Sequence, residues 1–382
     1  MGEVMTTAPA MAVRDALAAF RMPLFFFVSG YFSYRVAKAW TGPKLRSVLG
    51  KKVCAQLLGT ALFASAFAYC FGHDVVHVLS DLGGWGFWFC IVLFQMFLLY
   101  VAVMLATRKA PRWVFFATMI AVTAVVNYFF FTEVRLPRFT MGELTHLGWP
   151  KLCFYMPYFT LGLFARALGD RFQTLLGNRW FTLAVVSLFI ASELFLPQIT
   201  AMGRVPASSM AWRGYIYLPG LTGVLTLTAL FYRLRGYFER GGRLSRTMTF
   251  VGGRTLDIYF LHWFFLPNLH FIPAQFYGAN PAVPMLLVGL LVAIPVMACA
   301  LGVSGLLRTS PLLARLLFAA PAKPAASAIS AASAPAPLPG AALSPAPGIT
   351  NAPPFSGVQP RNSASAPAPA PAPMPENRPS LN

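Results

Sequence analysis

Residues 85–106 read WGFWFCIVLFQMFLLYVAVMLA. The stretch carries no charge, and Gln95 is its only strongly polar side chain. A run of this kind, roughly 20 residues long, matches a helix that crosses a hydrocarbon core of about 30 Å. It does not alternate as a half-buried strand would, and in lipid a helix alone satisfies every backbone hydrogen bond within one segment. Working outward from it, similar runs recur at 53–71, 113–131, 152–168, 180–197, 215–232, 255–273 and 285–307. A further run at 16–34 is broken by Arg21 and Pro23. The expectation is therefore an all-α polytopic bundle with nine visible spans, kinked where Pro157, Pro219 and Pro295 interrupt them.

The composition agrees with that reading. Of 382 residues, 57% are hydrophobic and 11% charged, against about 25% charged in an ordinary soluble domain. The excess of 30 Lys and Arg over 11 Asp and Glu gives +19, a sum that in a soluble chain would suggest nucleic acid. Here most of the basic residues fall in alternate loops, as the positive-inside rule requires. Basic loops hold Arg35, Lys38, Lys44, Arg46, Lys51 and Lys52; then Arg108, Lys109 and Arg112; then Arg166, Arg171 and Arg179; and finally the arginines from Arg233 to Arg254. The loop 72–84 has Asp74 and Asp81 without a basic residue, and 274–284 has no charge. The basic side is read as cytoplasmic, so nucleic acid is not needed as a partner. The lipid bilayer is the expected environment.

The same alternation divides the chain into a short N-terminal segment at 1–15, a multi-helix domain at 16–318 and a Pro/Ala/Ser-rich tail at 319–382. The tail cannot bury a core, so it is expected to be disordered and cytoplasmic. Counted backwards, the alternation places residues 1–15 outside without a cleavable leader. Either one helix upstream of the chain restores the parity, or the first span inserts unusually.

Soluble-enzyme signatures are missing: the chain has no Walker loop, no GxGxxG, no GxSxG and no HExxH. Cys54, Cys70, Cys90, Cys153 and Cys299 all fall in spans without CxxC spacing and read as packing residues. His73 and His77 would share one face if their loop is helical, yet a metal needs three or four ligands and no third is evident. No metal and no bound cofactor are expected.

Charges at membrane depth are more telling, since each costs at least about 2.5–3.5 kcal/mol on insertion scales. His262 lies near the middle of its span, Asp257 and Arg254 toward the basic end, and Glu193 toward the opposite end of another span. In a helix His262 sits nearer the Tyr259 face than that of Asp257. A neutral imidazole suits proton transfer or a substrate hydrogen bond, and equally a packing bond between helices. Glu193 either meets a substrate or reaches the interface. Arg21 calls for an anionic partner or serves as an interface anchor. Ser29 and Gly30 offer the small surface on which another helix packs closely.

These residues bring a family into view. AFRMPLFFFVSGYFSYRVAK at 19–38 resembles the second-helix motif of the acyltransferase-3 membrane proteins, in particular their glucan succinyltransferase branch. GFWFCIVLFQMFLLY, with Trp88, FYMPYFTLGLFAR and GGRTLDIYFLHWFF resemble later helices of the family in the same order. The resemblance implies one helix more than the nine visible here, with an Arg and a catalytic His on a first helix that this chain starts too late to contain.

The resemblance further implies a bacterial inner-membrane enzyme. Such an enzyme carries an acetyl or succinyl group from cytoplasmic acyl-CoA, the donor substrate, to hydroxyls of a periplasmic glucan or surface polysaccharide. His262 and Arg21 are then the candidate catalytic residues. Arg46, Lys51 and Lys52 are candidates for the CoA phosphates, with Glu193, Asp257, Ser29, Gly30, Trp88 and Tyr259 as substrate or structural candidates. The family's paired arginines are replaced here by Lys51 and Lys52, which keep the charge and lose the planar fork. The alternatives are a non-enzymatic transporter or exporter of a glycan or small anion, and a catalytically silent family member. No convincing internal repeat, the mark of many transporters, is visible.

Overall fold

The computed structural model describes residues 8–34, 41–81, 83–132, 145–201, 210–267 and 282–318. Every described element is helical. Residues 1–7 of the expected N-terminal segment, most of the loop 274–284 and the tail 319–382 lie outside these residues.

The first helix, α1 (Ala8–Ser33), starts well before residue 16, so half of the segment expected to precede the bundle is helical. A continuous helix comes next, made of α2 (Gly42–Lys52), a π-helical turn (Val53–Leu58) and α3 (Gly59–Cys70). After the short α4 (Val75–Ser80) come α5 (Trp88–Ala106), α6 (Arg112–Thr132) and α7 (Trp149–Leu168). Next are α8 (Asp170–Gly177), α9 (Arg179–Ala201) and α10 (Met210–Arg233). The last are α11 (Arg235–Glu239), α12 (Arg243–Gly252), α13 (Thr255–Phe265), α14 (Ala282–Leu307) and α15 (Pro311–Phe318).

Each of the nine expected spans contains one of these helices, but fewer qualify as spans by themselves. Among the described residues five helices are long and apolar enough to cross a membrane, or six if α8 and α9, bent by 75°, count as one. Two departures have clear physical causes. Among the described residues the run 255–273 holds the 11-residue α13, which ends because Leu266 turns to extended backbone just before Pro267. Such a helix rises about 16 Å, half a bilayer core. In α7 the polar Tyr155, Pro157, Tyr158 and Thr160 dilute the hydropathy. That is tolerable because α7 packs on α1, α5 and α6, and its Tyr158 and Thr160 are buried.

His73 and His77 do not share a helical face. Asp74 caps α4 by accepting a hydrogen bond from the Val76 N–H at 3.0 Å, so His73 lies outside the helix. Both rings instead pack on Trp85. Among the described residues no three His, Cys, Asp or Glu side chains gather as metal ligands.

Between helices in lipid, apolar burial offers little net drive, so close packing and internal polar bonds hold the bundle. Gly30 supplies the first. A Cβ there would fall on the Phe159 carbonyl of α7, and one on Gly162 would fall on the Phe27 carbonyl of α1. The two glycines thus let two backbones meet, as the small surface at Ser29 and Gly30 suggested. Replacing Gly30 by leucine should cost about 3 kcal/mol or more, since overpacking that cannot be relieved by rotamers exceeds the usual 1–3 kcal/mol. A melting curve of the purified variant matching that of the parent would refute this contact.

Polar bonds supply the rest. The Tyr217 hydroxyl donates to Asn127 Oδ1, and that of Tyr158 to the Tyr217 carbonyl at 3.2 Å. Thr123 and Thr160 share a hydrogen bond of 2.8 Å. These link α6, α7 and α10. Asp257, 2% exposed, receives both nitrogens of the Arg308 fork at 2.9 and 3.0 Å and the Ser304 hydroxyl at 2.5 Å. It therefore ties α13 to the end of α14. Leu287, Leu290, Leu291 and Ile294 of α14 are exposed and form an apolar, lipid-suited surface.

Candidate functional site

Two polar stations lie along α1. The inner one, near the basic end, is a cavity of about 270 Å³ between α1, α2 and α5. Ser29 and Ser33, one turn apart on α1, and Lys52 on α2 supply its polar groups; Val28, Phe32 and Phe97 are among its apolar walls. Lys52 reaches the cavity because it shares the face of α2 with Val48, one turn earlier, and it ends α2 where the π turn begins. A π turn adds a residue to the helical turn and shifts the faces beyond it, a device frequent at functional sites. The Lys52 ammonium rests 4.3 Å from the Phe97 ring centroid. Within the described residues it forms no ion pair with a carboxylate.

The outer station surrounds Arg21, eight positions before Ser29 and so about 12 Å further along the helix. The Arg21 guanidinium is accessible, and its charge acts on both Tyr155 of α7 and His262 of α13. Tyr155 stacks on Phe26 at 4.9 Å and on Trp88 at 5.7 Å, and the Lys151 ammonium sits 4.7 Å above Trp88. His262 directs Nδ1 at the Tyr259 carbonyl at 2.7 Å and the Ile258 carbonyl at 3.1 Å. A carbonyl only accepts, so Nδ1 carries the proton and, in the neutral ring, Nε2 keeps its lone pair.

The other sequence candidates take different places. Trp88 belongs to the outer station through the Tyr155 stack. Tyr259 is half-buried: its hydroxyl donates to the Gly86 carbonyl at 2.7 Å and accepts the Phe89 N–H at 3.2 Å, clipping the turn before α5 to α13. Asp257 is engaged with Arg308 and Ser304, and Gly30 with α7. Arg46 and Lys51 are exposed, and of the expected CoA-phosphate cluster Lys52 alone lines the inner cavity. Glu193 is half-buried on α9, one turn beyond Phe189, whose ring meets Phe20 edge-on at 6.0 Å.

Sequence reasoning missed Ser33, Phe97, Tyr155, Lys151 and Arg308. Lys151 alone carried a signal, as a cation at the end of a span opposite Arg166. It donates to the Gly83 carbonyl beside the 2.7 Å contact of His146 with Asp81.

A family model for the acyltransferase domain of the acyltransferase 3 family matches residues 3–306. No curated protein and no solved structure matches the chain. The match spans every helix that builds the two stations, and the chain belongs to the acyltransferase 3 family, as a multi-pass membrane acyltransferase.

Proposed function

We propose that the protein takes an acetyl or succinyl group from cytoplasmic acyl-CoA and transfers it to a hydroxyl of a periplasmic glucan or surface polysaccharide. The observation that carries this reading is the cationic cavity at the basic end of α1, with Arg21 about 12 Å further along the same helix. A donor with an anionic head and a long arm spans such a distance, with its head at Lys52 and its thioester near Arg21.

In the transfer itself, His262 Nε2 accepts the proton of the sugar hydroxyl as the oxygen attacks the thioester carbonyl. The Arg21 guanidinium stabilises the resulting oxyanion. The tetrahedral species then collapses, the C–S bond breaks, and the CoA thiolate takes up the proton from His262. The acceptor sugar approaches from the outer side, where the Trp88 and Tyr155 rings and Lys151 stand.

Mass spectrometry of periplasmic and surface glycans from deletion and complemented strains tests the reading. The deletion should remove an acyl group that the intact gene restores, and identical glycans in both strains would reject it. Lys52 gives a sharper test. Lys52→Met should raise the KM for acyl-CoA about tenfold or more, because a hydrogen bond to a charged group contributes about 1.5–3 kcal/mol. Lys52→Arg should recover most of the loss, and an unchanged KM in Lys52→Met would remove the residue from the donor site.

A further inference from the structure

A second and larger cavity, about 550 Å³, lies on the other side of α1 at the same basic end. That volume falls within the range of about 300–1,000 Å³ typical of small-molecule sites. Leu24, Phe27, Val28 and Tyr31 form one stripe of α1 at helical spacing, and α8 and the end of α10 close the cavity with Phe172, Leu176 and Phe231. Its walls are almost wholly apolar. Phe32 and Phe231 at its margin are 75% and 55% exposed, so it opens on the outside of the bundle, where lipid lies.

Besides Gln173 and Thr228, two arginines bring positive charge to this cavity. Arg235, in the turn of helix just after α10, lines it and lies 4.5 Å from the Tyr232 ring. Arg166 donates to the Tyr31 hydroxyl at 3.3 Å and lies over the same ring at 5.3 Å. Among the described residues neither arginine is paired with a carboxylate. An apolar slot that opens to lipid, with two unneutralised guanidinium groups at the membrane surface, has the form of a phospholipid: chain inside, phosphate at the cations.

We propose that this cavity holds an acyl chain of an anionic phospholipid of the cytoplasmic leaflet, its phosphate met by Arg235 and Arg166. The assignment rests on the orientation adopted above, with the basic end in the cytoplasm. Val28 and Phe32 line both this cavity and the Lys52 cavity. The lipid thus props one wall of the donor site, and enzyme stripped of it should bind acyl-CoA more weakly.

Native mass spectrometry of the full chain, offered equal amounts of phosphatidylglycerol and phosphatidylcholine with identical chains, tests the site. The wild type should retain phosphatidylglycerol preferentially. Arg235→Gln, at an exposed position, should cut that preference about fivefold, the factor that corresponds to about 1 kcal/mol per basic residue at an anionic surface. Thr228→Trp, which fills the cavity from α10, should abolish retention of both lipids while the protein stays monodisperse.

Equal retention of the two lipids by the wild type, or a preference untouched by both substitutions, overturns the proposal. So does displacement of the lipid by acetyl-CoA in a competitive manner, which would make the cavity part of the donor site. Unchanged acyl-CoA affinity after delipidation overturns the propping of the shared wall. Absence of a lipid preference in the wild type with acyl transfer intact counts against this site alone, and absence of acyl transfer with the preference intact counts against the enzymatic reading alone.

Discussion

Replacing His262 by alanine should lower acyl transfer by about 10²–10⁴-fold, the range by which a positioned general base accelerates proton removal. The expectation comes from how the ring is held. Its Nδ1 proton is committed to the Tyr259 and Ile258 carbonyls one turn back, which fixes the ring and leaves Nε2 as the basic nitrogen. Trp263 packs 4.8 Å from the imidazole and is a purely structural neighbour. The two roles separate in the measurement. A catalytic His262 gives a variant with the parent melting curve, a depressed kcat, and no acid limb in its pH–rate profile, since the limb reports protonation of the base. A packing His262 gives a lowered melting temperature and an unchanged limb. A folded alanine variant that transfers acyl groups at the parental rate would take the base away from this residue and leave Arg21 without its partner.

The helices were legible because a membrane imposes a strong condition on sequence: continuous apolar runs with charges sorted into loops. That condition placed a helix in each of the expected spans, and it failed where the bundle itself replaces lipid as the solvent. α7 tolerates Tyr155 and Tyr158 because neighbouring helices surround it. α13 stops at Phe265 although the apolar run continues, since the extended backbone of Leu266 before Pro267 ends the helix whatever the hydropathy beyond it. The π turn after Lys52 is a one-residue change of register that no periodicity in VCAQLL announces, whereas Lys52 reaches the cavity because it shares the face of α2 with Val48, one turn earlier.

The site was legible only in its membrane-depth residues. Arg21 and His262 stand out singly because a charge or imidazole there is costly. Tyr155, stacked between Phe26 and Trp88, comes from a third helix and has no sequence signal, because aromatic residues are ordinary packing in a chain that is 15% aromatic. The same holds for the partnership of Asp257 with Arg308. The acid was read as a substrate or structural residue, and only the fold brings it to Arg308 across 51 positions.

That pair leads to the second large effect. Arg308→Leu should destabilise the bundle by about 3–5 kcal/mol, because it strands the Asp257 carboxylate, 2% exposed, with the Ser304 hydroxyl as its remaining partner. Asp257→Leu alone should cost less, since the Arg308 side chain is 29% exposed and can turn toward water. The double variant Asp257→Leu/Arg308→Leu should recover much of the loss, since apolar residues of similar volume often replace a buried ion pair at little cost. Thermal unfolding of the four proteins in one detergent measures the coupling. Additive losses, with no recovery in the double variant, would show that the two side chains act independently. Acyl transfer by the double variant then decides the role of Asp257. A residue that only joins α13 to α14 is dispensable once the junction is apolar, whereas a substrate ligand is not. Because α13 also carries His262, the junction sets where Nε2 stands relative to Arg21. A residual defect should therefore appear in kcat and be relieved when stability is restored, with the KM for acyl-CoA unchanged.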